Sequence, residues 1–388
     1  MQHPAFGPGA ALSPTLLKGC TSMMSDQLGK LEPLLSALWE KSGSDLLLSA
    51  GTEPRIRVDG ALRPVDGTEV MKGDEIDEIV SGLLNPEQQA TFDEQQDVDF
   101  AFSWGERARL RASAFTQNST TALSLRMIPK QIPTFDQLGL PPATHNLAKL
   151  PRGFVLVTGP TGSGKTTTLA SIIDKINDTR SVHILTLEDP VEFVHKHKLS
   201  AVSQREIGVD SPSFDRALRS ALREDPDVLL LGEMRDLESI QIALTMAETG
   251  HLVFATLHTN DAAQAVDRII DVFPAWQQEQ IRIQLSGSLA AIIAQRILPK
   301  EQGGMVAAFE VLIANSAVRN LIREGKSNQL QNVMLTSQPD GMVTLETSLA
   351  RLVEAGTVSY EEAMLTSGRP KELARLLGHT QPKISAIA

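Results

Sequence analysis

The spacing of apolar positions changes character near the middle of the chain. In the first third, Leu31, Leu34, Leu35, Leu38 and Trp39 recur at helical spacing. Two short strand-like runs follow, Ser44–Leu48 and Arg55–Val58, and Asp59-Gly60 after the second signals a hairpin turn. Ile76, Ile79, Val80, Leu83 and Leu84 predict a second helix, and alternation over Val98–Phe102 and Arg107–Phe115 predicts two more strands. Residues 28–128 therefore read as a small α+β domain with a mostly antiparallel sheet. Residues 129–144 carry Pro129, Pro133, Gly139, Pro141 and Pro142, the composition of an extended, stiff linker.

From His145 onward strands alternate with helices. Candidate strands are Phe154–Thr158, Val182–Leu187, Val228–Leu231, Leu252–Leu257 and Val306–Leu312. Candidate helices are Thr166–Asn177, Phe214–Arg223, Ser239–Thr249 and Asp261–Val272. This alternation predicts an α/β fold with a mostly parallel sheet covered by helices. The stretch 316–388 reads as helices only. Residues 1–27 show no periodicity and predict a disordered tail. Met23 and Met24 just before the first patterned segment also suit a later translation start.

Composition narrows the functional classes. Apolar residues are 41% and charged residues 21% of 388, an ordinary globular balance. No apolar run approaches the roughly 20 residues needed to cross a bilayer, and no basic start leads into an apolar stretch, so a soluble, cytosolic protein is expected. Cys20 is the only cysteine, which excludes a disulfide framework and a cysteine zinc site. The net charge of −11 argues against a DNA- or RNA-binding surface.

Gly159-Pro160-Thr161-Gly162-Ser163-Gly164-Lys165-Thr166 follows an apolar run and precedes a helix pattern that begins at Thr167. Strand, glycine loop and helix in that order make a phosphate-binding loop for ATP. Its glycines let backbone N–H groups turn toward phosphate, and the helix adds its positive end. Lys165 is expected on the β- and γ-phosphates, and the Thr166 hydroxyl on Mg²⁺.

Hydrolysis also needs an acid that anchors the metal or orients water, at the C-terminal end of a neighbouring strand. Two runs end that way. Val228–Leu231 leads to Glu233, and Val182–Leu187 leads to Glu188 and Asp189, with Glu192 close behind. Glu188 and Glu233 are the candidate catalytic and metal-binding acids, and spacing leaves their division of labour open. Leu252–Leu257 ends at His258, where either a γ-phosphate sensor or a structural histidine fits. His251 precedes the same strand.

These segments resemble the secretion-type ATPases of type IV pilus and type II secretion systems, from about Leu34 to Gly356. Leu185–Phe193 resembles the family's aspartate box, Asp227–Asp236 its second acidic motif, and Thr249–Thr259 its histidine box. Ser203–Gly208 and Ile270–Pro274 are further matches. The absence of a four-cysteine zinc module and of an extra N-terminal domain, with Ala317–Glu324 resembling a retraction signature, points to the retraction branch. Type II secretion, pilus assembly and nucleic-acid translocation on a RecA-like scaffold are the alternatives.

The resemblance implies a RecA-like P-loop motor preceded by a PAS-like domain. It implies a homohexamer docked on an inner-membrane platform protein at the cytoplasmic face, with membrane contact through that partner alone. It raises His251 and His258 as nucleotide-site residues and adds Arg109, Arg111 and Arg126, which reach the nucleotide of the adjacent subunit. Three features depart from the family. Leu47 stands for a histidine, Gln117–Thr120 for a Gln-Arg-Gly-Gly turn, and Ala255 for a glycine.

Overall fold

The computed structural model describes residues 28–378 except Asp59, Glu106, Lys130 and Arg235. The expected tail, the hairpin residue Asp59, Arg235 of the second acidic segment and residues 379–388 lie outside the described residues. The chain forms two compact units, one ending at residue 130 and the other starting at Gln131.

The first unit runs α1 (Glu32–Glu40), β1 (Asp45–Ser49), β2 (Arg55–Val58), β3 (Ala61–Pro64), α2 (Gly73–Leu83), α3 (Pro86–Gln95), β4 (Asp97–Trp104), β5 (Ala108–Gln117) and β6 (Thr120–Pro129). Its six strands pair antiparallel in the order β3-β2-β1-β6-β5-β4. Alternation decides the faces. Leu46, Leu48, Ile56, Leu110, Ala112, Leu123 and Leu125 share a core with Leu35 and Leu38 of α1 and Ile76 and Val80 of α2. The intervening residues, Arg109 and Arg111 among them, occupy the other face. At Gln117–Thr120 the β5–β6 hairpin closes through two residues, Asn118 and Ser119, both with positive φ (47° and 61°). This is the local twist of a type I′ turn, achieved without glycine.

The second unit begins with a helical turn, α4 (Phe135–Leu138), and a 3-10 segment (Pro142–Lys149). These elements fall partly within the segment 129–144 expected as a linker. Phe135, Leu140 and Leu147 are buried in the core of this unit. There follow β7 (Gly153–Thr158), α5 (Lys165–Thr179), β8 (His183–Glu188), β9 (Ala201–Glu206), α6 (Phe214–Ala221), β10 (Val228–Leu231), α7 (Leu237–Glu248), β11 (Leu252–Leu257), α8 (Ala262–Asp271), α9 (Ala275–Ser288), β12 (Leu289–Pro299) and β13 (Met305–Ile313). The remainder is helical: α10 (Ser316–Arg323), α11 (Leu330–Thr336), α12 (Leu345–Glu354), α13 (Tyr360–Thr366) and α14 (Pro370–Leu376), with two 3-10 turns between.

The sheet order is β13-β12-β7-β11-β10-β8-β9. All neighbours are parallel except β12 and β13. The mostly parallel α/β sheet predicted from the alternation is present. β7, β10 and β11 are buried along their whole length because helices cover both faces. Phe154, Leu156, Leu229, Leu231 and Val253 join α6 to α9 on one face, whereas Val155, Val157, Leu230 and Phe254 join Leu169, Ile172 and Ile176 of α5 on the other. Each fully buried side chain of this size contributes roughly 1.5–3 kcal/mol. Parallel pairing brings the C-terminal ends of β7, β11, β10 and β8 to one edge of the sheet, which is where the site lies.

Candidate functional site

The phosphate loop joins β7 to α5. Gly159, Gly162 and Gly164 have φ of +146°, +79° and +81°. A Cβ on Gly159 would meet the Gln295 carbonyl oxygen at 2.4 Å and Ser163 Oγ at 2.6 Å. Gln295 comes from β12 and braces the loop from below. Its Oε1 accepts from Thr168 Oγ1 at 2.8 Å, and its Nε2 would crowd a Cβ on Gly164 at 2.9 Å. Lys165 Nζ donates to the carbonyl oxygens of Gly159 (2.8 Å) and Pro160 (3.1 Å). Thr161 is exposed, while Thr166 and Thr167 are half-buried in the first turn of α5.

This cradle fits the phosphates of a nucleotide. The N-terminus of α5 has no side-chain cap, so its N–H groups and dipole are directed at the loop. The Ser163 hydroxyl is buried with no hydrogen-bond partner among the described residues. Replacing Gly159 by alanine should strain the loop by about 2 kcal/mol and weaken nucleotide binding at least tenfold. Fluorescent-nucleotide titration checks this, and unchanged affinity would remove the loop from binding.

The acidic edge is fixed by backbone bonds from both sides. Gly232 N–H donates to the Leu187 carbonyl of β8 at 2.8 Å. Thr256 of β11 donates its hydroxyl to the Gly232 carbonyl and accepts the Met234 N–H, at 3.3 Å, on its own carbonyl. Glu233, held between them, places Oε1 3.1 Å from His258 Nε2. Glu233, His258, Thr259 and Arg268 line a cavity of about 320 Å³. The spacing had left His258 open between sensor and structural roles, and the geometry puts it on the acid. Arg268 of α8 is a lining residue that the sequence reading did not single out.

Lys165 couples to this edge. Burial lowers its amine pKa from the ordinary lysine value, and the charges of Glu233 and then Glu192 oppose that shift. Glu188 is placed differently. It is buried, and its Oε1 accepts from Thr186 Oγ1 (2.6 Å) and Gln204 Nε2 (3.2 Å). Burial raises its carboxyl pKa, against those two hydrogen bonds and the nearby His195. Glu188 thus stands at the end of β8 with its Oε1 held by Thr186 and Gln204. Gln204 and Glu206 of β9 explain how Glu192 is held. Gln204 Oε1 accepts the His195 N–H at 2.7 Å, and Glu206 Oε2 accepts the Val191 N–H at 3.1 Å, on either side of it.

Among the described residues no group of three or more His, Cys, Asp or Glu side chains could hold a metal ion.

His251 is not brought to the loop. It precedes β11 at the opposite edge of the sheet, and its Nδ1 lies 2.9 Å from the Met246 carbonyl. A six-residue strand separates it from His258. Arg109, Arg111 and Arg126 belong to the first unit. Arg111 of β5 stands opposite Arg126 of β6, and Arg126 Nε donates to Asp45 Oδ1 at 2.9 Å. Ala255, where the family has glycine, is fully buried in the sheet core.

A parallel sheet with a phosphate loop on one strand and an acid–histidine pair on the next two is a RecA-like P-loop ATPase. Residues 34–365 match the family described as Type II/IV secretion system protein, and the chain belongs to that family. It is 47% identical over 330 residues to the type IV pilus retraction ATPase PilT of Pseudomonas aeruginosa, covering 85% of this chain and 96% of that one. It is 50% identical over 311 residues to a twitching motility protein of Neisseria gonorrhoeae, covering 80% and 83%. The solved structure of the pilus retraction motor PilT with bound ADP superposes with a TM-score of 0.80 at 47% identity, covering 88% of this chain and 98% of that one.

Proposed function

We propose that the chain is the ATP-hydrolysing subunit of a homohexameric ring that retracts type IV pili. The observation that carries the chemistry is the convergence of the phosphate loop, Lys165, Glu233 and His258 on one sheet edge. The likeness to proteins named for pilus retraction and twitching motility carries the work done.

Lys165 leaves the loop carbonyls for the β- and γ-phosphate oxygens, because a phosphate is the stronger, charged acceptor. The loop amides and the N-terminus of α5 hold the remaining phosphate charge. Thr166 and Glu233 would hold Mg²⁺, which neutralises charge developing on the phosphates. Glu233 orients the attacking water, and His258 fixes the Glu233 carboxylate and reads the γ-phosphate position. Arg109, Arg111 and Arg126 of an adjacent subunit complete the charge.

No helix among the described residues is long and apolar enough to cross a membrane. Docking at the cytoplasmic face of the inner membrane would then run through a platform protein. Helix α10, with the retraction-like segment Ala317–Glu324, is the surface to test. Val318 and Ile322 are buried in the motor core, and Arg319 donates to the carbonyl oxygens of Ala314 and Gly287. Asn320 and Arg323 are exposed. Ile322→Ala should cost about 2–5 kcal/mol of stability. Arg323→Ala should leave ATPase activity and melting temperature within error while twitching fails in a strain lacking its retraction motor. Full twitching by Arg323→Ala would take this face out of force transmission, and failure of the wild-type chain to restore twitching would sink the retraction reading.

A further inference from the structure

Glu310 sits in the middle of β13, opposite Ala294 of β12, and is 4% exposed. A carboxylate in that position needs a reason, because an unpaired buried charge is costly. Its partner is the backbone N–H of Ala262, the first residue of α8, which donates to Glu310 Oε1 at 2.8 Å. Ala262 follows directly on the loop that leaves β11, His258-Thr259-Asn260-Asp261. One end of that loop carries His258 to Glu233 at 3.1 Å. The other end is pinned twice. Asp261 Oδ1 accepts the Gln264 N–H at 2.8 Å, and Glu310 accepts the Ala262 N–H.

We propose that Glu310 is a positioning residue for ATP turnover: from β13 it anchors the first amide of α8 and so fixes the loop that brings His258 to Glu233. This rests on the ATPase reading of the site. The anchor is electrostatic as well as geometric. The N-terminus of α8 carries partial positive charge, and an ionised Glu310 is a stronger acceptor than a protonated one. The groups that face it come from three places. Asp261 precedes α8, Glu346 lies on α12, and Arg369 precedes α14. Glu346 is itself buried and accepts from Ser367 Oγ (2.9 Å) and the Arg369 N–H (3.1 Å). The anchor is thereby continuous with the C-terminal helices.

Burial pushes the Glu310 carboxyl up to about 7. The Ala262 amide opposes this, Asp261 and Glu346 reinforce it, and Arg369 opposes it. The charge on the anchor therefore changes near pH 7. Turnover should lose a component as pH falls through about 7. Stability moves the other way. Between 4.5 and about 7 the folded chain holds the proton that the unfolded chain has released, so this group's contribution to stability falls as pH rises.

The test uses the full chain and reads kcat and KM for ATP from pH 6 to 8, with thermal melting and ring assembly measured alongside. Glu310→Ala leaves the Ala262 N–H buried without its acceptor. It should lower kcat about 10- to 100-fold with little change in KM, because the loop and not the phosphate cradle is released. Glu310→Gln keeps an acceptor, so it should recover part of kcat and lack the wild-type change near pH 7. A folded, assembled Glu310→Ala variant with wild-type kcat and pH profile overturns the proposal. So does a variant that melts early while its activity per assembled ring is unchanged, since that outcome marks core packing alone. Absence of turnover in the wild type would overturn the ATPase reading and this proposal with it, whereas an active wild type beside an unaffected variant overturns the proposal only.

Discussion

Lys165→Ala should lower ATP turnover by about 10²- to 10³-fold or more, because the transferring phosphoryl group loses a fixed cation in a partly dehydrated site. The structure separates this effect from simple misfolding. The lysine side chain bonds only loop carbonyl oxygens among the contacts described, those of Gly159 and Pro160, and α5 is held independently by Leu169, Ile172 and Ile176. The melting temperature should therefore change little. Glu233→Gln is the companion variant. It is isosteric and keeps an acceptor for His258, so ATP binding should persist, while the group that orients water loses its charge. Steady-state hydrolysis and nucleotide binding on the same preparations check both. Near-normal turnover by Glu233→Gln would move the water-orienting role to Glu188, the acid that ends the neighbouring strand β8.

The parts of the site that were legible in sequence are those where one local pattern dictates both backbone and chemistry. The phosphate loop has a fixed glycine spacing, and β10 and β11 are apolar runs with polar ends, so their boundaries coincide with Val228–Leu231 and Leu252–Leu257 as read. The brace beneath the loop was not legible. Leu289–Leu298 is buried on both faces and shows no alternation, so periodicity cannot tell it from a helix, and Gln295 gives no sign of facing Gly159. β9 was matched only as a motif, because its pattern is largely polar at the sheet edge. The division of labour between Glu188 and Glu233 was equally hidden. Each ends an apolar strand run, and only the structure shows that Glu188 accepts from Thr186 and Gln204 while Glu233 faces His258. Asn118 and Ser119 illustrate the opposite case, in which a departure from the family's glycines leaves the hairpin in place because both residues take positive φ.

Arg111→Ala should reduce turnover by about 10³-fold or more if its guanidinium stabilises transition-state charge on the nucleotide of the adjacent subunit. The case begins from register. Arg111 and Arg126 face one another across β5 and β6, on the side of the sheet away from the α1–α2 core, and Arg126 is already engaged by Asp45. Two like charges held opposite each other are unfavourable unless an anion lies between or beside them. In a ring, each interface is head to tail, so a basic face on one unit meets a different surface on the next copy. That asymmetry permits a decisive mixing test. Arg111→Ala and Glu233→Gln proteins are each expected to be inactive alone. In rings assembled from equal amounts, about one quarter of interfaces pair an intact Arg111 with an intact Glu233, so part of the activity should return. Recovery would scale with the mixing ratio and vanish when either protein carries both substitutions. Co-assembly without recovery would show that Arg111 does not act across the interface, and the same experiment on Arg109 and Arg126 would then ask whether either of them does.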